Sequence, residues 1–320
     1  MGARVRGRTG GGMIGIVLTA YGMVSSLDDL EAFYTHIFHG RKPGPDKLAQ
    51  AEVQYRALGV CDPLASVTRR QAAALERRLS LQLNSPVKAY YMCKHTPPSA
   101  EETVTRMAED GVTKVVCLPL SPLFSKTGTG WYERKLREAI ASSGHRMELL
   151  TAAHWHLNPD FVRIVADRVR AAAEWLPAAV RGNTAVIFTA HSQPGLPEAH
   201  PDYCREFREL AEAVADVSGS SSWRIAYRSG GPAPQVWLKP DVLDVIAEVG
   251  EGGAEAVVVC DLLSLTANVE VLQDIGIQGQ AAAQALGLEF VRTEFLNDSD
   301  DFMKVVSDIV AERIKAVGWS

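Results

Sequence analysis

The 320-residue sequence predicts an α/β protein of two similar lobes, each a parallel sheet flanked by helices, with a cleft between them. Three observations predict it. Short apolar, β-branched runs alternate with segments of helical periodicity from Met13 to the end. The runs fall into two groups of similar size, separated by a helix and a Pro-, Ala- and Arg-containing stretch over 175–183. With 47% hydrophobic and 22% charged residues, the chain has the composition of an ordinary globular protein with room for one large core or two joined ones.

Residues 1–12, basic and glycine-rich, are followed by no signal-type apolar stretch and small-residue cleavage site, so they read as a disordered extension, with Met1 and Met13 both candidate starts. Strands are expected at 14–20, 87–92, 114–118 and 147–152, with helices over 68–81 and over 99–110, the latter directly after Pro97-Pro98. These make the first lobe, 13–152. The second lobe, 153–320, opens with a helix at 159–173 and carries strands at 184–190, 224–227, 256–260 and 288–292. Its further helices are expected at 202–215, 241–250 and 299–317.

Composition also excludes function classes. A net charge of −5 supplies no basic field for a phosphate backbone, so nucleic acid is not an expected partner. The longest apolar runs, such as 256–260, are strand-length, so no transmembrane segment is expected and a cytoplasmic location follows as the expectation. Cys61, Cys93, Cys117, Cys204 and Cys260 form no C-x-x-C pair, so free thiols are expected and an iron–sulfur cluster is not.

Ligands of open parallel sheets bind beyond the carboxyl ends of the strands, which makes the residue after each strand the place to look for chemistry. The first strand delivers Tyr21 beside Gly22, where the backbone is expected to turn sharply. The fifth delivers His191 before Pro194, and the seventh leads through Asp261 to Glu270 and Asp274, four residues apart and on one face if helical. Taken singly, each has a structural alternative: a rim tyrosine, a satisfied core histidine, an acidic pair at a helix start. Together, an imidazole facing carboxylates with no thiolate suits an incompletely coordinated first-row divalent cation, or an acid–base pair.

At these residues the sequence resembles the ferrochelatase family, and within it the soluble bacterial branch that uses coproporphyrin III. Phe188-Thr-Ala-His-Ser192 resembles the family's metal-histidine motif and Val269-Glu-Val-Leu272 its metal-glutamate motif. Trp237-Leu-Lys-Pro-Asp241 is similar to its tryptophan–leucine–proline–aspartate motif, and Lys88–His95 to its strand ending in lysine–histidine. The segments 18–22 and 33–43 resemble the first strand end and the segment before an Arg-Lys-Pro turn. The sequence departs from the pattern at Phe38-His39, where an arginine is usual, at Ala267-Asn268 in place of Asp-His, and at Gln273 in place of tyrosine.

The resemblance implies two Rossmann-like, chelatase-type lobes forming one unit that inserts Fe2+, as substrate, into a porphyrin, with no organic cofactor. It implies His191 and Glu270 as the catalytic, iron- and proton-handling pair, with Asp274 beside them at the metal. Tyr21, Tyr132, Lys94, His95 and Trp237 are implied as porphyrin-contacting residues. A monomer, with transient contacts to haem-pathway enzymes, is expected. A chelatase for another metal or tetrapyrrole, or a non-catalytic porphyrin or haem carrier, fits the same residues. A dinucleotide-binding oxidoreductase fits poorly, because no strand is followed by G-x-G-x-x-G.

Overall fold

The computed structural model describes residues 12–22, 24–58, 63–83, 85–231 and 233–319. Most of the expected extension at 1–12, and Cys61, lie outside the described residues. Two four-stranded parallel sheets form. The first contains β1 (Met13–Ala20), β2 (Val87–Cys93), β3 (Val112–Pro119) and β4 (Glu148–Thr151) in the order β2-β1-β3-β4. The second contains β5 (Thr184–His191), β6 (Trp223–Arg228), β7 (Ala256–Asp261) and β8 (Glu289–Arg292) in the order β6-β5-β7-β8. The second order repeats the first, so the ends of β1 and β5 occupy equivalent places in the two sheets.

The helices are α1 (Leu30–Ile37), α2 (Pro45–Ala57), α3 (Leu64–Gln82), α4 (Ala100–Glu109), α5 (Thr129–Ser143) and α6 (Pro159–Glu174) in the first part of the chain. Then follow α7 (Pro201–Ser218), α8 (Val242–Glu251), the short α9 (Val269–Val271) running into a π-helical stretch (Leu272–Gly279), α10 (Gln280–Ala285) and α11 (Asp300–Ala316).

Both faces of each sheet are covered, which is why the strands read as nearly continuous apolar runs. Ile14, Ile16 and Leu18 of β1 point into the same cluster as Val186 and Phe188 of β5, while Val17 points the other way, towards α4 and α5. Ile187 of β5 likewise faces outward, towards α8. The cluster between the sheets is shared by α3, α6, α7 and α11, so one apolar core runs through both halves. The last helix, α11, belongs to the second half by sequence yet lies against α3 of the first. No helix among the described residues is long and apolar enough to cross a membrane.

Candidate active site

His191 is the last residue of β5, in register with Arg228, the last residue of β6. The Tyr203 hydroxyl donates to the His191 carbonyl at 2.7 Å, and the Ser192 amide donates to the Arg228 carbonyl at 2.7 Å, so both strand ends are tied down. Nδ1 of His191 donates to the Ser192 carbonyl at 2.5 Å, which leaves Nε2 facing Glu270 Oε1 at 3.3 Å. Glu270 sits in the first turn of α9, which Asn268 caps by accepting from the Val271 amide.

With Nδ1 already a donor, a lone pair on Nε2 would confront a carboxylate, so the pair favours a proton, or a cation, between them. Burial pushes the His191 pKa down, but the Glu270 charge outweighs it and the net shift is upward. For Glu270, burial raises the pKa, but His191 and Arg228 outweigh it and hold the carboxyl down at about 2. Two ligands each about 2.1 Å from one ion stand about 3.4 Å apart at a tetrahedral angle, close to the spacing seen here.

Sequence reasoning missed the group that organises this pair. Arg228, 1% exposed, gives Nε to Asp261 Oδ2 at 2.7 Å, Nη2 to Ser264 Oγ at 2.6 Å, and Nη1 to Ser229 Oγ at 3.1 Å and Glu270 Oε2 at 3.3 Å. The signal was present: Arg228 and Asp261 are charged residues closing apolar strands, and such positions, on the rule that chemistry follows strand ends, merit the attention given to His191.

Asp274, expected beside the pair, gives its carboxylate to the Ser229 hydroxyl and lies 3.8 Å from Arg228 Nη1, both donors at the exit of β6. No group of three or more His, Cys, Asp or Glu side chains that could hold an ion stands among the described residues. Burial raises the Asp274 pKa.

Across the cleft, Tyr21 is 49% exposed and its ring lies 4.5 Å from that of His95, with Lys94 Nζ 5.9 Å from its centroid. Burial and the charge of Glu270 push the Tyr21 phenol up to about 12, and the same two causes raise Tyr34 on α1. The charge of Glu270 thus reaches both phenols from the other half of the chain. Gly22 is required by close approach and not by a positive φ: a Cβ there would stand 2.4 Å from the Phe33 ring.

Lys94 donates to the Thr127 carbonyl at 3.0 Å, and its Nζ lies 5.1 Å from the Trp131 centroid. His95 pairs with His36 through their Nδ1 atoms at 2.9 Å, and burial with the nearby cations brings its pKa down to about 4. Tyr132, 8% exposed, packs with Met92, Cys117 and Leu136 against the first sheet, and Trp131, one residue earlier, is the partly exposed ring beside Lys94. Trp237 lies in the segment 236–238, which pairs with 193–195 directly after His191, and its indole nitrogen is buried with no hydrogen-bond partner among the described residues. Of the cysteines, Cys93, Cys117 and Cys260 are buried free thiols and Cys204 is a partly exposed one.

The family model for ferrochelatase matches residues 13–314. The chain belongs to the ferrochelatase family. It is 31% identical to a ferrochelatase from Herpetosiphon aurantiacus over 92% of this chain and 97% of that one. It is 32% identical to a coproporphyrin III ferrochelatase from Anoxybacillus flavithermus (96% and 98% covered) and 31% identical to one from Bacillus subtilis (94% and 98%). Among solved structures, SirB from Bacillus subtilis with Fe3+ shares the fold, with a TM-score of 0.58 at 11% identity over 96% of this chain and 98% of that one. Family membership gives the strand-end pair of His191 and Glu270 its chemical context.

Proposed function

We propose that this protein inserts ferrous iron into a porphyrin, coproporphyrin III by the family branch it resembles, as a step of haem synthesis. The observation that carries the reading is the His191–Glu270 pair at 3.3 Å, made by the end of β5 and the first turn of α9 in one lobe, with Tyr21 at the equivalent strand end of the other. Relatives of about 30% identity named coproporphyrin III ferrochelatases support the substrate.

Insertion requires two pyrrole protons to leave as the metal enters. His191, held by its Nδ1 bond so that Nε2 faces the cleft, is the group to take a proton. Glu270, ionised at any working pH, attracts the cation. Tyr21, un-ionised, offers a phenol oxygen to the opposite face of the macrocycle. Trp131 and Trp237 supply flat apolar surface, and Lys94 a cation for a propionate. Bending the ring to present its nitrogen lone pairs to one side draws on packing energy from the rim. We propose further that the enzyme works in the cytoplasm, as a monomer and without an organic cofactor.

The test is anaerobic multiple-turnover insertion with coproporphyrin III and protoporphyrin IX. The four-propionate substrate is expected to win on kcat/KM, and His191→Ala to abolish turnover with an unchanged circular dichroism spectrum. Stoichiometric binding of product without turnover by the wild type would instead mark a carrier.

A further inference from the structure

Glu270 offers its two oxygens to different partners: Oε1 to His191 Nε2 and Oε2 to Arg228 Nη1, each at 3.3 Å. Arg228 is no loose surface cation. Its side chain is 1% exposed and is clamped by Asp261, Ser264 and Ser229. Asp261 is clamped in turn, accepting from the Thr189 hydroxyl at 2.9 Å and from the amides of Leu263 and Ser264. The guanidinium cannot leave Glu270 without giving up these bonds.

We infer that Arg228 is a positioning residue that keeps Glu270 a one-oxygen ligand and so holds the site's affinity for the incoming cation low, which lets the ion pass on to the macrocycle. The inference rests on the proposed role of Glu270 in receiving iron and adds the residue that tunes it. A carboxylate binds a cation through both oxygens only if both have free lone pairs, and here a fixed donor occupies Oε2. The same guanidinium lies 3.8 Å from Asp274, whose carboxylate also takes the Ser229 hydroxyl. Of the four oxygens of Glu270 and Asp274, Glu270 Oε2 and Asp274 Oδ2 are thereby engaged by fixed donors, and a positive charge stands a few ångströms from where a second must arrive. An ion then meets one imidazole nitrogen, one carboxylate oxygen and water, a weak and open set.

The experiment is titration of the full-length, porphyrin-free protein with Co2+, followed by visible absorption and calorimetry, beside insertion kinetics with ferrous iron. The variants are Arg228→Gln and the double variant Arg228→Gln/Asp261→Asn, which does not leave the buried Asp261 side chain charged without its partner. Both are expected to bind Co2+ with a Kd lower by on the order of tenfold, since a unit charge beside the ion is removed. KM for iron is expected to fall and kcat to fall with it, because an ion held by both oxygens is released more slowly. Adding Glu270→Gln to Arg228→Gln is expected to abolish the gain. Unchanged or weaker Co2+ binding in the folded double variant overturns the inference. If the wild type fails to insert iron, the proposed activity falls, and the cobalt affinities still decide the role of Arg228.

Discussion

At the scale of single residues, the charge on Glu270 sets when His191 can act. A proton acceptor must be neutral, and Glu270 raises the His191 pKa against the opposing effects of burial and Arg228. Insertion is therefore expected to be lost on acidification through a value above that of a free imidazole, and to be regained as pH rises through it. In Glu270→Gln the raising charge is gone while burial and Arg228 remain, so the acid limb of the rate profile is expected to move to lower pH. The maximal rate should fall about a hundredfold or more, because the cation loses its anionic ligand. A pH–rate profile of kcat/KM for the two proteins checks both; an acid limb that stays in place would separate His191 from the rate-determining proton transfer. His95 does not share this limb, since its pKa is brought down to about 4 and it is neutral throughout the working range.

At the scale of elements, the loop after β6 carries Trp237 by close packing. A Cβ on Gly231 would stand 2.6 Å from Trp237 Cζ2, inside any real contact. Gly231→Ala is expected to push the indole from its place beside the segment 193–195, raising KM for the porphyrin several-fold with little change in iron affinity, while thermal stability changes by about 1 kcal/mol. Tryptophan fluorescence and porphyrin titration measure the two effects. The elements themselves were unevenly legible. All eight strands could be read: the central β1, β5 and β7 are buried on both faces and write nearly unbroken apolar runs, and the edge strands β4 and β8 are short and more exposed but fall in the same alternation with helices. α2 could not: it buries only Ala51 and Tyr55, so its sequence carries almost no apolar stripe. α5 begins in the glycine-rich 126–130 segment, whose composition reads as loop although Ser125 and Thr129 close its first turn by side-chain bonds. The π-helical stretch after α9 is set by packing against α8 and β8, which no local pattern encodes. In the site, His191 and Glu270 could be read from their places after strands and their motifs. Arg228 could be noticed as a charged residue closing a strand, but its pairing with Asp261, 33 residues away, could not be read from the sequence.

At the scale of the whole molecule, two sheets of identical order invite the idea of two independent lobes, and the packing argues against it. Ala72, Leu75 and Leu79 of α3 share one cluster with Phe302, Met303, Val306 and Val310 of α11, so the last helix seals the first half. Polar bonds follow the same seam. Arg70 grips Asp298 through Nε and Nη2 at 2.6 and 2.9 Å, Arg78 pairs with Asp300, and the buried Gln71 donates to Thr266 Oγ1 and the Asn297 carbonyl. Neither half can open without exposing the apolar face of the other, and the cleft holding Tyr21 and Glu270 depends on both. Unfolding is therefore expected as one transition, coincident by far-ultraviolet circular dichroism and by tryptophan fluorescence, whose reporters include Trp131 in the first half and Trp223 in the second. Phe302 is fully buried at the seam, so Phe302→Ala should cost about 3–5 kcal/mol. In a single-core protein that loss moves the whole transition to lower denaturant. In a protein of two autonomous lobes it would move one of two transitions and leave the other in place, and that outcome would show the halves to be joined by the chain alone.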